Sequence, residues 1–584
     1  MSKKEEIILK DYTLEMNLKP NWKLKDLPYK RPHFDEIQKR IDELCGKIKS
    51  AKSYEEVKNC IDENSRLISH VNYEMTLAYI RCYGDATDEF YGKELPEISA
   101  QSVMLQHTQF ASALLESKFA SDIDKDFGTR YLDIIRTNMK LHENGQDLMG
   151  KEQELIGEYQ NIKASLRYKF DGIELSEAEL REYFDSPKRE VRKKALITLY
   201  EGWIDKCDIM FDLLRKLVKI RNEIASVNGY ESYVNYANDE KGRSGYGEKE
   251  LTSFCTQVKN DLVPFYGKIY DAQAKRLGID HICSYDKNYL FKDENPKPAG
   301  NAEYLLKAAK EMYHNMAKKS GEIIDYMLEH ELLDIIASKN KISGIGFCSE
   351  LAKLKGSVIF ANCNGTADDV TVLTHEIGHA FQGYMSFEKQ LICDYLNGCN
   401  DIAEVPSKVM EQFAYPYAEQ FFGEDADKFR YMHMQKCLIE IGDYCSVHEF
   451  ETYLYNHPDA SNEEWAEAYT KITEEYIPQI DLTDVRHLLE KGSSLFSSMG
   501  VYMFPRYLIS YALCDICALE MKGKSLENPE EAWNSYVHLC EAGGSIKYEY
   551  LLNNCGLSIP YKEGSVKRAT ADIKKELLEI INKL

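Results

Sequence analysis

Long apolar runs are missing from this 584-residue sequence. No stretch approaches the roughly 18–20 consecutive apolar residues of a membrane-spanning helix, so a helical membrane protein is excluded. The opening MSKKEEIILKDYTLEMNLKP carries charge but no apolar core of signal-peptide length, and the cytoplasm is the expected compartment. A basic surplus is missing too. Lys and Arg number 73 against 96 Asp and Glu, a net charge of −23, which argues against a nucleic-acid partner because phosphate binding needs a basic footprint. Internal repeats, low-complexity tracts and features demanding an obligate protein partner are absent. The sixteen cysteines lack the short, dense spacing of a disulfide framework and are expected as reduced thiols in the core. The close pair Cys514 and Cys517 falls in an apolar helical stretch and reads as helix packing.

What is present is helical periodicity. HFDEIQKRIDELCGKIKS, EVKNCIDENSRLISHVNYEMTLAYI and KEQELIGEYQNIKASLRYKF set apolar residues three and four apart with charges between them. A chain of this length is too long for one core and implies more than one lobe. Gly172 and Pro187 interrupt the pattern near 170–190, with Ser186 and Pro187 in cap and first-turn positions of the next helix. This predicts an N-terminal helical lobe over 1–186 and a second domain over 187–584. The one β signal expected is at 341–364, punctuated by Gly344, Gly346 and Gly356, with SVIFANC as a strand whose exposed edge offers main-chain hydrogen bonds to an extended peptide.

The chemistry begins at VLTHEIGHAFQGY. Thr366 is expected to cap this helix, Asp368 and Asp369 suit its N-terminal end, and Val370, Leu373, Ile377, Ala380 and Phe381 form the buried stripe. His375 and His379, four apart, project side by side as two ligands of one ion require. Glu376 is placed to take a proton from a metal-activated water. Gly378 costs roughly 1 kcal/mol in a helix interior, which points to close packing there. A third ligand is still needed, and Met385 stands where a third histidine would continue the motif, so a carboxylate on a following helix is expected. NDIAEVPSKVMEQF supplies Glu404 as that ligand, with Asp401 one turn before it and Glu411 two turns beyond on the same face as carboxylates that orient the histidines. The competing reading is a solvated acidic face. KGKS at 522–525 lacks the leading glycine of a phosphate-binding loop, Ala518 standing in its place.

HEIGH followed by DIAEVPSKVME at this spacing resembles the thimet oligopeptidase and oligoendopeptidase F superfamily of zinc metallopeptidases, particularly the oligoendopeptidase F-like group that includes the Pz-peptidases. DATDEFYGKE, RNEIASVNGYESY and LCEAGGSIKYEYLLNNCGLSIPYKEG extend the resemblance over most of the chain. It implies a mainly α fold, with two helical lobes enclosing a deep substrate channel and a small β-sheet beside the zinc-binding helix. It implies one zinc ion per chain on His375, His379 and Glu404, with Glu376 as general base and proton shuttle. The strand segment containing Phe360, Ala361, Asn362 and Gly365 would contact the peptide backbone, as would Gly543 and Gly544 of EAGGS. Tyr507 and Tyr511 match two tyrosines of the family pattern and are candidates for contact with the oxyanion. Three positions depart from that pattern: Gly500 replaces a histidine, Arg506 an aromatic residue and Leu508 a tyrosine. Arg506 is either a contact to a substrate carboxylate or an exposed surface arginine. The expected activity is internal cleavage of short unfolded peptides. A zinc carboxypeptidase and a catalytically silent peptide binder are the alternatives.

Overall fold

Helix-forming periodicity is obeyed almost throughout the computed structural model, which describes residues 18–103, 105, 108–342 and 345–584. Gly344 and the first seventeen residues lie outside the described residues. Helices predominate, and the described strands form two small sheets. Two compact units are each assembled from three chain segments: Met1–Met139, Lys297–Ala426 and Lys524–Leu557 in one, Lys140–Pro296, Asp427–Gly523 and Ser558–Leu584 in the other. No helix among the described residues is long and apolar enough to cross a membrane.

In the second unit, a hairpin interrupts the helical pattern near residue 170. Strands β1 (Tyr168–Phe170) and β2 (Ile173–Leu175) pair antiparallel around Asp171 and Gly172, both at positive φ. The Asp-Gly pair supplies the left-handed conformations of a tight hairpin turn. This strand pair was not expected from the helical pattern. The next helix begins at Arg189 with Lys188 as its N-cap, two residues later than Ser186 and Pro187 suggested. The core of this unit includes the fully buried Trp203 and Trp465 and the stacked rings of Tyr159 and Tyr502.

In the first unit, β3 (Leu333–Asp334), β4 (Phe347–Leu351) and β5 (Gly356–Phe360) form a sheet of order β3-β5-β4. β5 is central and wholly buried, parallel to β3 and antiparallel to β4. Its pairing corrects the expected strand edge: both sides of β5 carry ladder partners, and the edge strands of this sheet are β3 and β4. Four helices matter for the site: α1 (Tyr54–Gly84), α2 (Ala367–Lys389), α3 (Val405–Ala414) and α4 (Pro529–Ala542). Phe381 of α2 packs on Trp533 and Tyr536 of α4, ring centroids 5.4 Å apart in each case. The Tyr536 hydroxyl donates to Pro406 O at 3.1 Å, tying α4 to the start of α3.

Glycine lets α2 sit close to its neighbours. A Cβ on Gly378 would lie 2.6 Å from Ser407 Cα and 2.7 Å from Pro406 O, backbone atoms that cannot swing aside. The helix-propensity penalty at Gly378 is therefore the cost of bringing α2 against α3.

Candidate metal centre

The α2 N-terminus is fixed by an acidic side chain. Thr366 occupies the N-cap position, while Asp369 accepts backbone N–H bonds from Asn364, Gly365 and Thr366 at 3.2, 2.6 and 3.1 Å. From that start His375 and His379 fall on the face toward α3. The chain reaches Glu404 through a four-residue helix, Asn400–Ala403, and breaks there before α3 begins at Val405. One continuous helix was expected across Asp401, Glu404 and Glu411. The break instead leaves Glu404 at the junction, with Pro406 in the first turn of α3 where its missing N–H is tolerated.

The nitrogens His375 Nε2 and His379 Nε2 each lie 3.1 Å from Glu404 Oε2. The donor atoms of these three residues all lie within 4.8 Å of one another. Ser407 Oγ donates to Glu404 Oε2 at 3.0 Å, holding the carboxylate from its own helix. His375 Nδ1 meets Glu411 Oε1 at 2.6 Å; with the Nδ1 proton held there, Nε2 is the nitrogen that would lose its proton to bind an ion. Lys408 Nζ stands 3.8 Å from the same Glu411 oxygen. Asp401, one turn before Glu404, is fully buried. Two imidazole nitrogens and one carboxylate oxygen in this spacing fit a tetrahedral ion with bonds of about 2.0–2.2 Å and a fourth position to spare.

The local field follows from burial and these contacts. Burial opposes charge on Glu404, but hydrogen bonds from His375 and His379 outweigh it and hold its carboxyl well below the usual range. Burial likewise opposes protonation of His375, yet Glu404 and Glu411 raise its imidazole to about 10. Glu376 is buried and raised, burial outweighing the lowering by His379 and His375. A carboxylate held in this way is a stronger proton acceptor than one in water. Burial also pushes the Cys348 thiol of β4 well up, and the Glu376 charge adds to it. Ser407, Lys408 and Cys348 were not anticipated. The EVPSK spacing, with Ser407 one turn after Glu404, carried the signal for the first.

The residues expected to touch peptide separate into groups. Phe360 is fully buried in the sheet, stacked on Phe347 with centroids 5.0 Å apart, so it is a core residue. Ala361 is also buried and donates its N–H to Asp334 O, continuing the ladder with β3. Asn362 is partly exposed and accepts from Ser338 N, while Gly365 is exposed at φ 87°. Gly543 and Gly544 are packed against the 395–397 turn: a Cβ on either would lie 2.1 Å from Tyr395 O or 2.3 Å from Asn397 O. Gly544 N also donates to Tyr395 O and its carbonyl accepts from Arg130 Nε. Close backbone approach is reason enough for glycine at both positions.

In the second unit, the tyrosine stretch has its own anchoring. The helix Leu508–Glu527 starts one residue after Tyr507, later than Pro505 suggested, and the Tyr507 and Tyr511 hydroxyls are 3.4 Å apart. Both tyrosines are partly exposed. Arg506 is 0 % exposed and sits at φ 62°. Its N–H donates to Glu451 Oε2, and its carbonyl accepts from Arg243. The guanidinium bonds Thr452, the His448 carbonyl and Glu248. Neither the surface arginine nor the substrate contact fits: Arg506 is a buried tie beneath the tyrosine turn. Gly500 is filled from outside its own residue, since a Cβ there would meet Leu508 Cδ1 at 2.6 Å. Two departures from the family pattern, Gly500 and Leu508, thus pack against each other.

Models of the Peptidase M3 N-terminal domain and of Peptidase family M3 match residues 24–142 and 183–569. The chain is 21 % identical over 428 residues to Oligopeptidase PepF of Bacillus subtilis (strain 168), covering 69 % of this chain and 61 % of that protein. It is 20 % identical to Group B oligopeptidase PepB of Streptococcus agalactiae, over 60 % of this chain and 56 % of that one. These alignments span less than two thirds of either relative. A structure of Pz peptidase A with an inhibitor superposes at a TM-score of 0.85 with 30 % identity, covering 95 % of this chain and 99 % of that chain.

Proposed function

The chain belongs to peptidase family M3, and from this premise we propose that it is a zinc-dependent oligoendopeptidase acting on short, unfolded peptides in the cytoplasm. The observation that carries the reading is the convergence of His375, His379 and Glu404, with Glu376 beside the first histidine on the same helix. His375 Nε2, His379 Nε2 and Glu404 would hold the ion, which when bound acidifies water toward a pKa of about 7 and polarises the scissile carbonyl. Glu376 accepts the proton of the attacking water and delivers it to the departing amine. Glu411 keeps His375 in the tautomer that presents Nε2, and Ser407 holds the Glu404 carboxylate in place. Asp401 is assigned a supporting role to the histidines by family likeness. The same likeness assigns the Tyr507 and Tyr511 hydroxyls to donate hydrogen bonds to the oxygen that becomes negative during attack.

For the peptide backbone, β4 offers what β5 cannot. β5 is paired on both sides, whereas β4, among the described residues, pairs on one side only, and its residues 347–350 are partly exposed. An extended peptide added along β4 would have its main chain satisfied by strand addition.

The experiment is cleavage of a peptide and its C-terminally amidated counterpart by zinc-loaded protein, with products mapped by mass spectrometry. Internal cuts in both, abolished by chelation and restored by zinc, are expected. Products released only one or two residues at a time from free C-termini would replace this reading with a carboxypeptidase. No cleavage of either peptide would reject a peptidase of these substrates.

A further inference from the structure

A second set of metal-ligating side chains lies wholly within the second unit, on two loop segments the peptidase chemistry does not use. We propose that His281, Cys283 and Asp481 form a structural site for a thiophilic divalent cation of the zinc type, separate from the centre at His375. Their donor atoms, an imidazole nitrogen, a thiol sulfur and a carboxylate oxygen, all lie within 4.8 Å of one another. Tetrahedral zinc with bonds of about 2.0–2.3 Å to such donors sets them roughly 3.3–3.8 Å apart, within reach of that spacing.

The backbone has already arranged the ligands. Cys283 and Asp481 are directly opposed in a parallel β-bridge, with Asp481 N donating to Ile282 O at 2.9 Å and Ser284 N to Asp481 O at 3.3 Å. Cys283 is extended (φ −92°, ψ 165°), and His281 stands two residues before it, the spacing that puts side chains on one side of an extended segment. Asp481 Oδ1 accepts from Thr483 N at 2.8 Å, which orients the carboxylate and leaves Oδ2 2.9 Å from His281 Nε2.

Charge and access suit the same ion. Arg189 Nη2 donates toward Cys283 Sγ at 3.2 Å; burial raises this thiol and Arg189 opposes the rise without cancelling it, so an ion binding there displaces the thiol proton. Asp286 accepts from Arg189 Nε and Nη2 at 3.0 and 2.7 Å and is shared with Arg192, whose Nη2 donates to its other oxygen at 2.6 Å. With that proton displaced, one thiolate and one carboxylate would neutralise a divalent ion, and the mixed nitrogen, sulfur and oxygen set selects zinc or cobalt over magnesium or calcium. Cys283 is buried, whereas His281 and Asp481 are open to solvent, so an ion has a way in and water can complete its shell. Bound there, it would clasp the 281–284 segment to the 480–484 loop and convert binding energy into stability of this unit.

The test is cobalt(II) titration of the full chain carrying His379→Ala, which removes a ligand of the first centre. That centre contains no thiol, so a thiolate-to-cobalt charge-transfer absorption reports only a cysteine ligand. The absorption is expected in this chain, is expected to be lost with Cys283→Ser, and is expected to weaken with Asp481→Asn. Zinc should also raise the melting temperature of the His379→Ala chain but not of the chain that also carries Cys283→Ser. No charge-transfer absorption, or one that survives Cys283→Ser, overturns the proposal and leaves an ordinary surface ion pair beside a core cysteine. Peptide cleavage by the Cys283→Ser chain with the first centre intact should be unchanged, so the two sites fail or stand separately.

Discussion

At the residue scale, one helical turn of α2 carries two of the candidate ligands and the base, but neighbouring residues decide how they work. Glu411 is the clearest case, because its 2.6 Å contact to His375 Nδ1 is the one proposed to present the other nitrogen to an ion. Glu411→Gln should weaken zinc binding by roughly 10–100-fold, measured by competition with a chromophoric chelator. Affinity equal to the parent would show that Glu411 does not orient the histidine. Tyr511 acts, in this account, on the transition state and not on the metal. Tyr511→Phe should therefore lower kcat by about 10²–10³-fold at unchanged zinc content. Unchanged turnover would discard that role. Arg506 shows the limit of a family pattern read from sequence. It was expected either to meet a substrate carboxylate or to lie on the surface, yet the fold buries it at positive φ against Glu248, Glu451 and Arg243.

At the scale of elements, the site depends on how closely α2 approaches α3. Gly378→Ala gains up to about 1 kcal/mol of helix propensity, but overpacking against backbone costs about 1–3 kcal/mol. A lower melting temperature together with weaker zinc binding is expected; a variant that binds zinc as the parent does would show that the approach is not needed. The periodicity made the helices legible because it is local, and the H-E-x-x-H spacing marked His375 and His379 as candidate donors that the fold brings together with Glu404. Long-range pairing did not show in the same way. β5 was recognisable as a strand, but its central place depends on β3 and β4, and Phe360 and Ala361 are buried as a result. The Asp171–Gly172 turn was a local hairpin signal hidden by the long helical pattern before it. Gly543 and Gly544 looked like a binding loop because a sequence does not reveal that residues 395–397 pack against them.

For the molecule as a whole, stability should respond to metal and to pH. Zinc binding to the native state should raise the melting temperature with the logarithm of free zinc over its dissociation constant, and His379→Ala should remove the part due to the first centre, read by calorimetry. The pH response has an identifiable contributor in Glu451, which burial raises to about 7 despite the lowering by Arg506. Its unfolded value is near 4.5, so the native state binds the proton more tightly. The stability it contributes is present below the unfolded value and lost as pH rises toward 7. Glu451→Gln retains an acceptor for the Arg506 N–H and removes that loss. Its stability relative to the parent should climb between about pH 5 and 7 in urea unfolding, by ~1.4 kcal/mol for each unit of the shift; a flat difference would contradict the assignment. The central claim, that this family M3 chain cuts peptides with Glu376 as the base, is tested most directly by one comparison. A mixed peptide library is incubated with parent and Glu376→Gln chains at equal zinc content, and the products are mapped by mass spectrometry. The account predicts internal cleavage by the parent and a loss of roughly 10²–10⁴-fold in the variant. Intact peptides with the zinc-loaded parent, or cleavage undiminished in the variant, would contradict it.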